Sequence, residues 1–270
     1  TLTPTSTSTA TPEIIPGGDF DSEIARISWT EFSLKDYPLF FDDKAAQPPY
    51  ISGGSFSPDW AVWLGGDDNE ISYIEGQVTV PTNRNYVGHV VKLQSYDTVC
   101  ASSKYNDLTL AGHLRYASAN TLNVFGVDIG GMLICENYSG RAGCGSADAV
   151  RVLVTGYDLC NVPDATGWGI FAVPLFGPGY DFRGKTVTLQ IKALTDAQLS
   201  SSVFVDDVVW LDGPPTTVVT GLNIQSAGLQ TLAPVLLTDP EIFKAAGLPV
   251  PPEKVTLSSA NASNAYRKSR

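Results

Sequence analysis

Positive charge is scarce: 17 Lys and Arg stand against 28 Asp and Glu in 270 residues, a formal net charge of −11. Gripping a phosphate backbone needs clustered Lys and Arg, so nucleic acid is not an expected partner. Histidine occurs only twice, at His89 and His113. A histidine-rich metal centre is therefore excluded, and both residues sit in strand-like surroundings where they read as packed or surface side chains. Methionine occurs once, and the Ala/Glu/Lys/Leu-rich runs of helix bundles are missing. No stretch of about 20 apolar residues is present, so no membrane-spanning helix is expected. A G-x-S-x-G elbow and the glycine-rich phosphate loops are also lacking, which removes the motif support for a serine hydrolase or a nucleotide-binding enzyme. No signal peptide is visible, and the chain is expected to be a mature or trimmed form.

Cysteine is sparse but even in number: Cys100, Cys135, Cys144 and Cys160, with no C-x-x-C pair to suggest zinc or redox chemistry. Such usage fits two disulfides formed in an oxidising compartment. "CENYSGRAGC" closes a short glycine-containing loop, which pairs Cys135 with Cys144 and leaves Cys100 for Cys160. Four buried free thiols are the alternative. The one dense acidic cluster, "GGDDNE" at residues 65–70, reads as turn chemistry or a calcium loop rather than catalysis. Glycoside hydrolysis needs only two carboxylates at a suitable separation, which a sequence does not reveal. The chain is expected to be non-catalytic.

Three regions differ in character. Residues 1–13 open with "TLTPTSTSTATP", an uncharged Thr/Ser/Pro tract of the linker or glycosylated-stalk type. Residues 14–212 carry short apolar alternations such as "ISYIEGQVTVP", "YVGHVVKLQSY" and "KTVTLQIKAL", broken by Gly, Pro, Asn and Asp. That spacing predicts an all-β antiparallel sandwich or barrel, with no convincing helical period. Residues 213–270 form a C-terminal arm, with an uncharged apolar stretch and one short helix expected at "DPEIFKAAGLP", capped by Asp239. Formal glycosylation sequons occur at Asn137 and Asn261.

Within the strand-like "SSSVFVDDVVWLDGPP", Asp206 and Asp207 pose a physical problem. Alternation should turn one carboxylate toward the apolar side, where an unpaired charge is costly. A cation, loop amides, or pairing with Arg26 or Lys185 would compensate it.

Three stretches taken in order resemble the jelly-roll carbohydrate-binding modules of the galactose-binding-like superfamily. "GGDFDSE" at residues 17–23 is similar to their opening motif. "SGGSFSPDWAVWLGG" followed by "ISYIEGQVTVP" is similar to their second signature. "GKTVTLQIKALTDAQLSSSVFVDDVVWL" is similar to their closing pair of strands. The resemblance spans residues 14–212, with a poorly matching middle at about 95–165 that holds all four cysteines. It implies a jelly-roll β-sandwich with N- and C-terminal extensions. It also implies a structural Ca2+ held by Asp21 and by Asp206 or Asp207, with Asp19 as a helper. Asp21 stands where that family usually has Glu.

The functional expectation is a structural or adhesive β-sandwich at a cell surface or in the extracellular space, joined to copies of itself or to other surface proteins through its extensions. Leu2, Ile14 and Ile15 would anchor the first arm, and Val218, Val219, Leu222 and Ile224 the second, by strand addition or groove filling. The alternative is a carbohydrate-binding module of a larger secreted enzyme or adhesin, with polysaccharide as the partner. Trp60, Tyr105, Tyr116, Tyr138 and Trp168 would then supply the stacking surfaces, while Trp63 and Trp210 read as core.

Overall fold

Along residues 203–210 the side chains of Val203, Val205, Val208 and Trp210 enter one apolar core, and Val87, Val91 and Leu93 meet them from a neighbouring strand. Across that core stand Ile74, Met132, Ile134, Leu153, Leu189 and Ile191. Two pleated layers, each presenting alternate residues inward, generate this pattern. The computed structural model describes residues 13–42, 55–57, 59–118, 126–137, 143–145, 149–162, 167–199, 201–213 and 232–237.

In chain order the elements are β1 (Glu13–Ile14), α1 (Glu23–Ile27), β2 (Thr30–Ser33), β3 (Phe40–Asp42), β4 (Trp60–Gly65), β5 (Ile71–Thr79) and β6 (Tyr86–Ser95). A 3-10 turn at Ala101–Ser103 and α2 (Asp107–Tyr116) precede β7 (Ile129–Asn137), β8 (Ala149–Asp158) and β9 (Gly169–Pro174). β10 (Phe176–Gly177), β11 (Tyr180–Asp181), β12 (Thr186–Leu194), β13 (Ser201–Leu211) and β14 (Val235–Leu237) follow. The front sheet runs β3-β4-β13-β6-β9, with β1 paired to the far end of β13. The back sheet runs β14-β8-β7-β12-β5-β2, and β10 and β11 form a small separate ribbon. The chain crosses repeatedly from one sheet to the other, giving the all-β antiparallel jelly-roll sandwich.

The β7–β8 part of the back sheet is apolar on both sides. Leu133, Cys135, Val152 and Val154 point away from the central core into a second cluster with Leu110, Ala111 and Leu114 of α2. Burial on both faces explains the continuous apolar runs "MLIC" and "VLV", which alternation alone does not produce. α2 corrects the expectation that residues 14–212 contain no helix, and it places His113 on a helix rather than a strand. Asn106 caps α2 through the Thr109 amide, and Asp107 lies in its first turn. The fully buried apolar residues of α2 are Leu110, Ala111 and Leu114, with Gly112 and His113 between, and Leu108 and Tyr116 pack at the margin, so ten residues give too short a helical period to stand out.

Both disulfides are present: Cys100 bridges Cys160 and Cys135 bridges Cys144, with Cα–Cα separations of 5.2 and 5.5 Å. Within the expected C-terminal arm, Val235, Leu236 and Leu237 pair with Val154, Leu153 and Val152, so the sandwich draws its edge strand from beyond residue 212. Ile15 is 1% exposed within the central core, so it anchors its own sandwich and is not an external docking residue. Ile14 is 45% exposed beside it. Leu2, Val218, Val219, Leu222, Ile224, Tyr138, Asn261 and the expected helix after Asp239 lie outside the described residues.

His89 faces the central core between Tyr157 and Phe171, and neither ring nitrogen has a hydrogen-bond partner among the described residues. Burial pushes its pKa down from 6.5 to about 3. The unfolded chain takes up a proton near pH 6.5 while the folded chain stays neutral to about pH 3, so stability falls as pH drops through that window. Each pH unit there costs about 1.4 kcal/mol. Urea unfolding across the same window should show a shallower decline for His89→Leu than for the natural chain. Parallel curves would mean that His89 titrates freely in the folded state.

Candidate functional site

α2 covers only the β7–β8 half of the back sheet's outer face. Over the other half, Phe32, Tyr73, Glu75, Gln190 and Lys192 floor a cavity of about 440 Å3. Its walls come from the C-terminal end of α2, residues 115–118, and from Gly143 and Gly145, which flank the disulfide-bonded Cys144. The floor follows from strand register. Tyr73 lies opposite both Phe32 and Lys192, and Glu75 lies opposite Gln190. Period-two alternation then puts Tyr73, Glu75, Gln190 and Lys192 on one face.

Each polar group on this floor is held in a set position. The Phe32 and Tyr73 rings stack with centroids 5.0 Å apart and planes 19° from parallel. Lys192 Nζ donates to the Ala117 carbonyl at 2.8 Å and lies 5.6 Å from the Tyr73 ring centroid. Glu75 Oε2 accepts from Gln190 Nε2 at 2.7 Å and from the Cys144 amide at 3.0 Å, so the short disulfide loop fixes the carboxylate. Gln190 Oε1 is buried without a hydrogen-bond partner among the described residues. Burial lowers Lys192 from 10.5 to about 7, with the Glu75 charge opposing the shift. Burial raises Tyr73, assisted by Glu75, and raises Tyr116, opposed by Arg115.

An apolar ring face beside an amide, a carboxylate and an ammonium suits a polyhydroxylated ligand with one flat apolar side. Glu75 is the one carboxylate lining the cavity among the described residues. Glycoside hydrolysis uses two, so the arrangement is suited to binding.

Of the five aromatic residues singled out from the sequence, Tyr116 alone lines this cavity among the described residues. Trp60 packs beside the central core under the Arg26 guanidinium, which lies 3.6 Å from its ring centroid. Trp168 packs on the outer face of the front sheet, against the group around Ala61 and Phe204 and 6.1 Å from Phe56. Trp63 belongs to that same outer group, while Trp210 is central core as expected. Tyr105 packs against the apolar cluster beneath α2. Phe32, Tyr73, Glu75, Gln190 and Lys192 carried no signal when the strands were read singly. Their shared face becomes visible only when "ISYIEGQ" and "VTLQIKAL" are laid antiparallel in register.

The carboxylates near the chain's opening segment form a second feature. β13 bulges between Asp206 and Val208, with Asp207 at φ 32°, so Val205 and Val208 both still face the core. Neither carboxylate therefore has to replace a core side chain. Asp206 is fully buried, and both its oxygens are used: Oδ2 accepts the Phe56 and Ser57 amides, and Oδ1 accepts the Ser57 hydroxyl and the Asp207 amide. It caps loop amides, one of the alternatives open from the sequence. Arg26 and Lys185 are engaged elsewhere, on the Phe20 carbonyl and on Glu136.

Asp207 is different. Its Oδ1 is buried without a hydrogen-bond partner among the described residues, as is Oδ1 of Asp19, and Asp21 accepts the Trp60 amide at 3.3 Å. Burial, followed by the charges of Asp206, Asp21 and Asp19, raises Asp207 to about 7. Burial chiefly raises Asp206 to about 6, against its hydrogen bonds from Ser57 and Asp207. Two orphaned buried oxygens near a third carboxylate have the donor chemistry of a hard cation. Asp19, Asp21 and Asp207 do not bring one oxygen each within 4.8 Å of one another, so a Ca2+ held by them would have to draw the three together.

No protein-family model and no curated protein matches the sequence. Solved structures with a similar fold include β-sandwich carbohydrate-binding modules. The family 11 module of the cellulosomal cellulase Lic26A-Cel5E of Clostridium thermocellum is 10% identical, with 76% of this chain and 97% of that one covered and a TM-score of 0.39. TmCBM61, solved with β-1,4-galactotriose, is 13% identical over 72% and 90% of the two chains, with a TM-score of 0.37. The K2 cleaved adhesin domain of Lys-gingipain is 10% identical over 69% and 89%, also with a TM-score of 0.37. Likeness at this level carries no functional assignment, which has to come from the cavity itself.

Lys192 supplies a direct check on the cavity's electrostatics. Unfolded, it holds its proton to about 10.5, whereas in the fold it releases it near 7. Burial therefore costs stability in full below about pH 7, and the cost fades as pH rises toward 10.5. Lys192→Met should be more stable than the natural chain at neutral pH, with the difference in melting temperature closing as pH rises. A difference that does not change with pH would show that Lys192 remains charged and hydrated.

Proposed function

We propose that this chain is a non-catalytic extracellular sandwich module that binds a glycan in the cavity on its back sheet. The observation that carries the reading is the stacked Phe32–Tyr73 pair set beside Glu75, Gln190 and Lys192 on one rigid strand surface. A pyranose presents an apolar C–H face and a rim of hydroxyls, which an aromatic platform and fixed polar groups meet together. The orphaned Gln190 Oε1 is an acceptor waiting for a hydroxyl donor. Two disulfides in one chain accord with an extracellular or cell-surface setting. No helix among the described residues is long and apolar enough to cross a membrane.

The assembly reading draws less support. Its anchors at residues 1–12 and 214–231 lie outside the described residues, and the described part of the C-terminal arm adds a strand to its own sheet.

A structural Ca2+ at Asp19, Asp21 and Asp207 is part of the proposal. It would join the opening segment to β13, because the Ile15 amide donates to the Val208 carbonyl and the Val208 amide to the Gly18 carbonyl. An ion bound only by the folded chain stabilises it by mass action. Chelation should lower the melting temperature of the natural chain by several degrees and affect Asp207→Asn less. Equal shifts in both proteins would remove Asp207 from the site.

Binding is tested on a glycan array followed by calorimetry with the best oligosaccharide. Tyr73→Ala should lose about 1–3 kcal/mol of affinity, an aromatic stacking contribution of the usual size. Gln190→Leu should lose about tenfold, because a buried hydrogen bond disappears. Retained affinity in both variants, with unchanged melting, would move the ligand away from this cavity.

A further inference from the structure

At the opposite rim of the sandwich from the proposed Ca2+, four strand ends converge. β6 ends at Ser95, β7 begins at Ile129, β12 ends at Leu194 and β13 begins at Ser201. The segments leaving or entering these strands place Asp97, Asp128 and Asp196 together, with one oxygen from each within 4.8 Å of the others. All three are buried, at 2%, 0% and 4% exposure. One oxygen of each is spent locally: the Val99 amide bonds Asp97 at 2.9 Å, the Asp196 amide bonds Asp128 at 2.6 Å, and the Gln198 amide bonds Asp196 at 2.6 Å. The second oxygens of Asp97 and Asp128 are shut from solvent and have no hydrogen-bond partner among the described residues.

We propose that Asp97, Asp128 and Asp196 form a second divalent-cation site, suited to Ca2+, separate from the one near Asp207. Two ligands on opposite sides of a Ca2+ lie about 4.6–5.2 Å apart, given bonds of 2.3–2.6 Å, so three oxygens that all lie within 4.8 Å of one another can share one coordination sphere. Three buried carboxylates with no ion pair among the described residues need a counter-charge. Lys104, whose Nζ is directed to the Gly126 carbonyl at 3.5 Å, acts on Asp196 only at a distance, while Asp68 adds a further negative charge.

The surroundings make the site a joint. The Leu159 amide donates to the Asp128 carbonyl, the Asn161 amide to the Asp97 carbonyl, and Cys160 between them is bonded to Cys100. An ion here would fix the start of the segment that runs through Cys100 to α2, and so to the wall of the cavity.

The rival explanation is a proton shared among the three carboxylates. Asp128→Asn separates the two, because it keeps the side-chain carbonyl that accepts the Asp196 amide while removing one charge. With chelator present, Asp128→Asn should melt higher than the natural chain, since like-charge repulsion is relieved. With Ca2+ present the order should reverse. Terbium titration of the full chain should show one fewer bound ion for Asp128→Asn, and for Asp97→Asn as a second variant. Asp207→Asn should keep this ion. If Asp128→Asn melts higher under both conditions, or terbium stoichiometry is unchanged in both variants, the shared proton holds the triad and the proposal is overturned.

Discussion

The bulge in β13 is the constraint on which most of the front sheet depends. By spending one extra residue at Asp207, the strand keeps Val203, Val205, Val208 and Trp210 all facing the core. Beyond the bulge, the same strand changes neighbours on one side, pairing with β4 at residues 202–205 and with β1 at 209–210. Gly18 sits against the bulge so closely that a Cβ there would lie 2.7 Å from the Val208 carbonyl oxygen. Gly17, at φ 77°, supplies the left-handed turn that brings it there. The opening "GGDF" is therefore a docking element for a bulged strand, and the carboxylates that gather round it are a by-product of that docking.

Asp206 and Asp207 show how one local irregularity divides two identical side chains. The buried Asp206 takes four donors and becomes the cap that holds residues 55–57 onto the sheet. Its neighbour, rotated by the positive φ, keeps an oxygen that no donor among the described residues reaches. A carboxylate with several amide donors is stabilised as an anion, while one surrounded by other carboxylates is not. Their different surroundings follow from partners that became neighbours through folding.

What the sequence made legible follows from this. The two-layer β architecture, the disulfide pairing and the core role of Trp210 could be read because they depend on local alternation and spacing. α2 could not, since a ten-residue helix with only Leu110, Ala111 and Leu114 as its buried apolar contacts is too short to set a period. The cavity floor was hidden for a deeper reason. Tyr73 and Lys192 are 119 residues apart in number and meet only through the β5–β12 register. Aromatic residues that look exposed in a single strand are also poor guides, as Trp60 under Arg26 shows. The second acidic cluster is likewise a product of topology, drawing one aspartate from each of three widely spaced connections.

Floor and walls of the cavity differ mechanically, and the difference bears on how such a site would recognise a ligand. Phe32, Tyr73, Glu75, Gln190 and Lys192 stand on three hydrogen-bonded strands whose other face is the central core. The walls, at residues 115–118, 143 and 145, belong to a helix end and a loop, and each is tied down at a distance by a disulfide: Cys135–Cys144 directly and Cys100–Cys160 through the segment leading to α2. Binding groups on a rigid sheet lose little entropy when a ligand arrives, which favours affinity. Walls carried by connections can change in length and composition without disturbing the sheet, which favours specificity. The hydrogen bond from the Cys144 amide to Glu75 joins the two, so the loop that shapes the wall also sets the carboxylate on the floor. In this fold the disulfide at that point shapes the cavity as well as the scaffold.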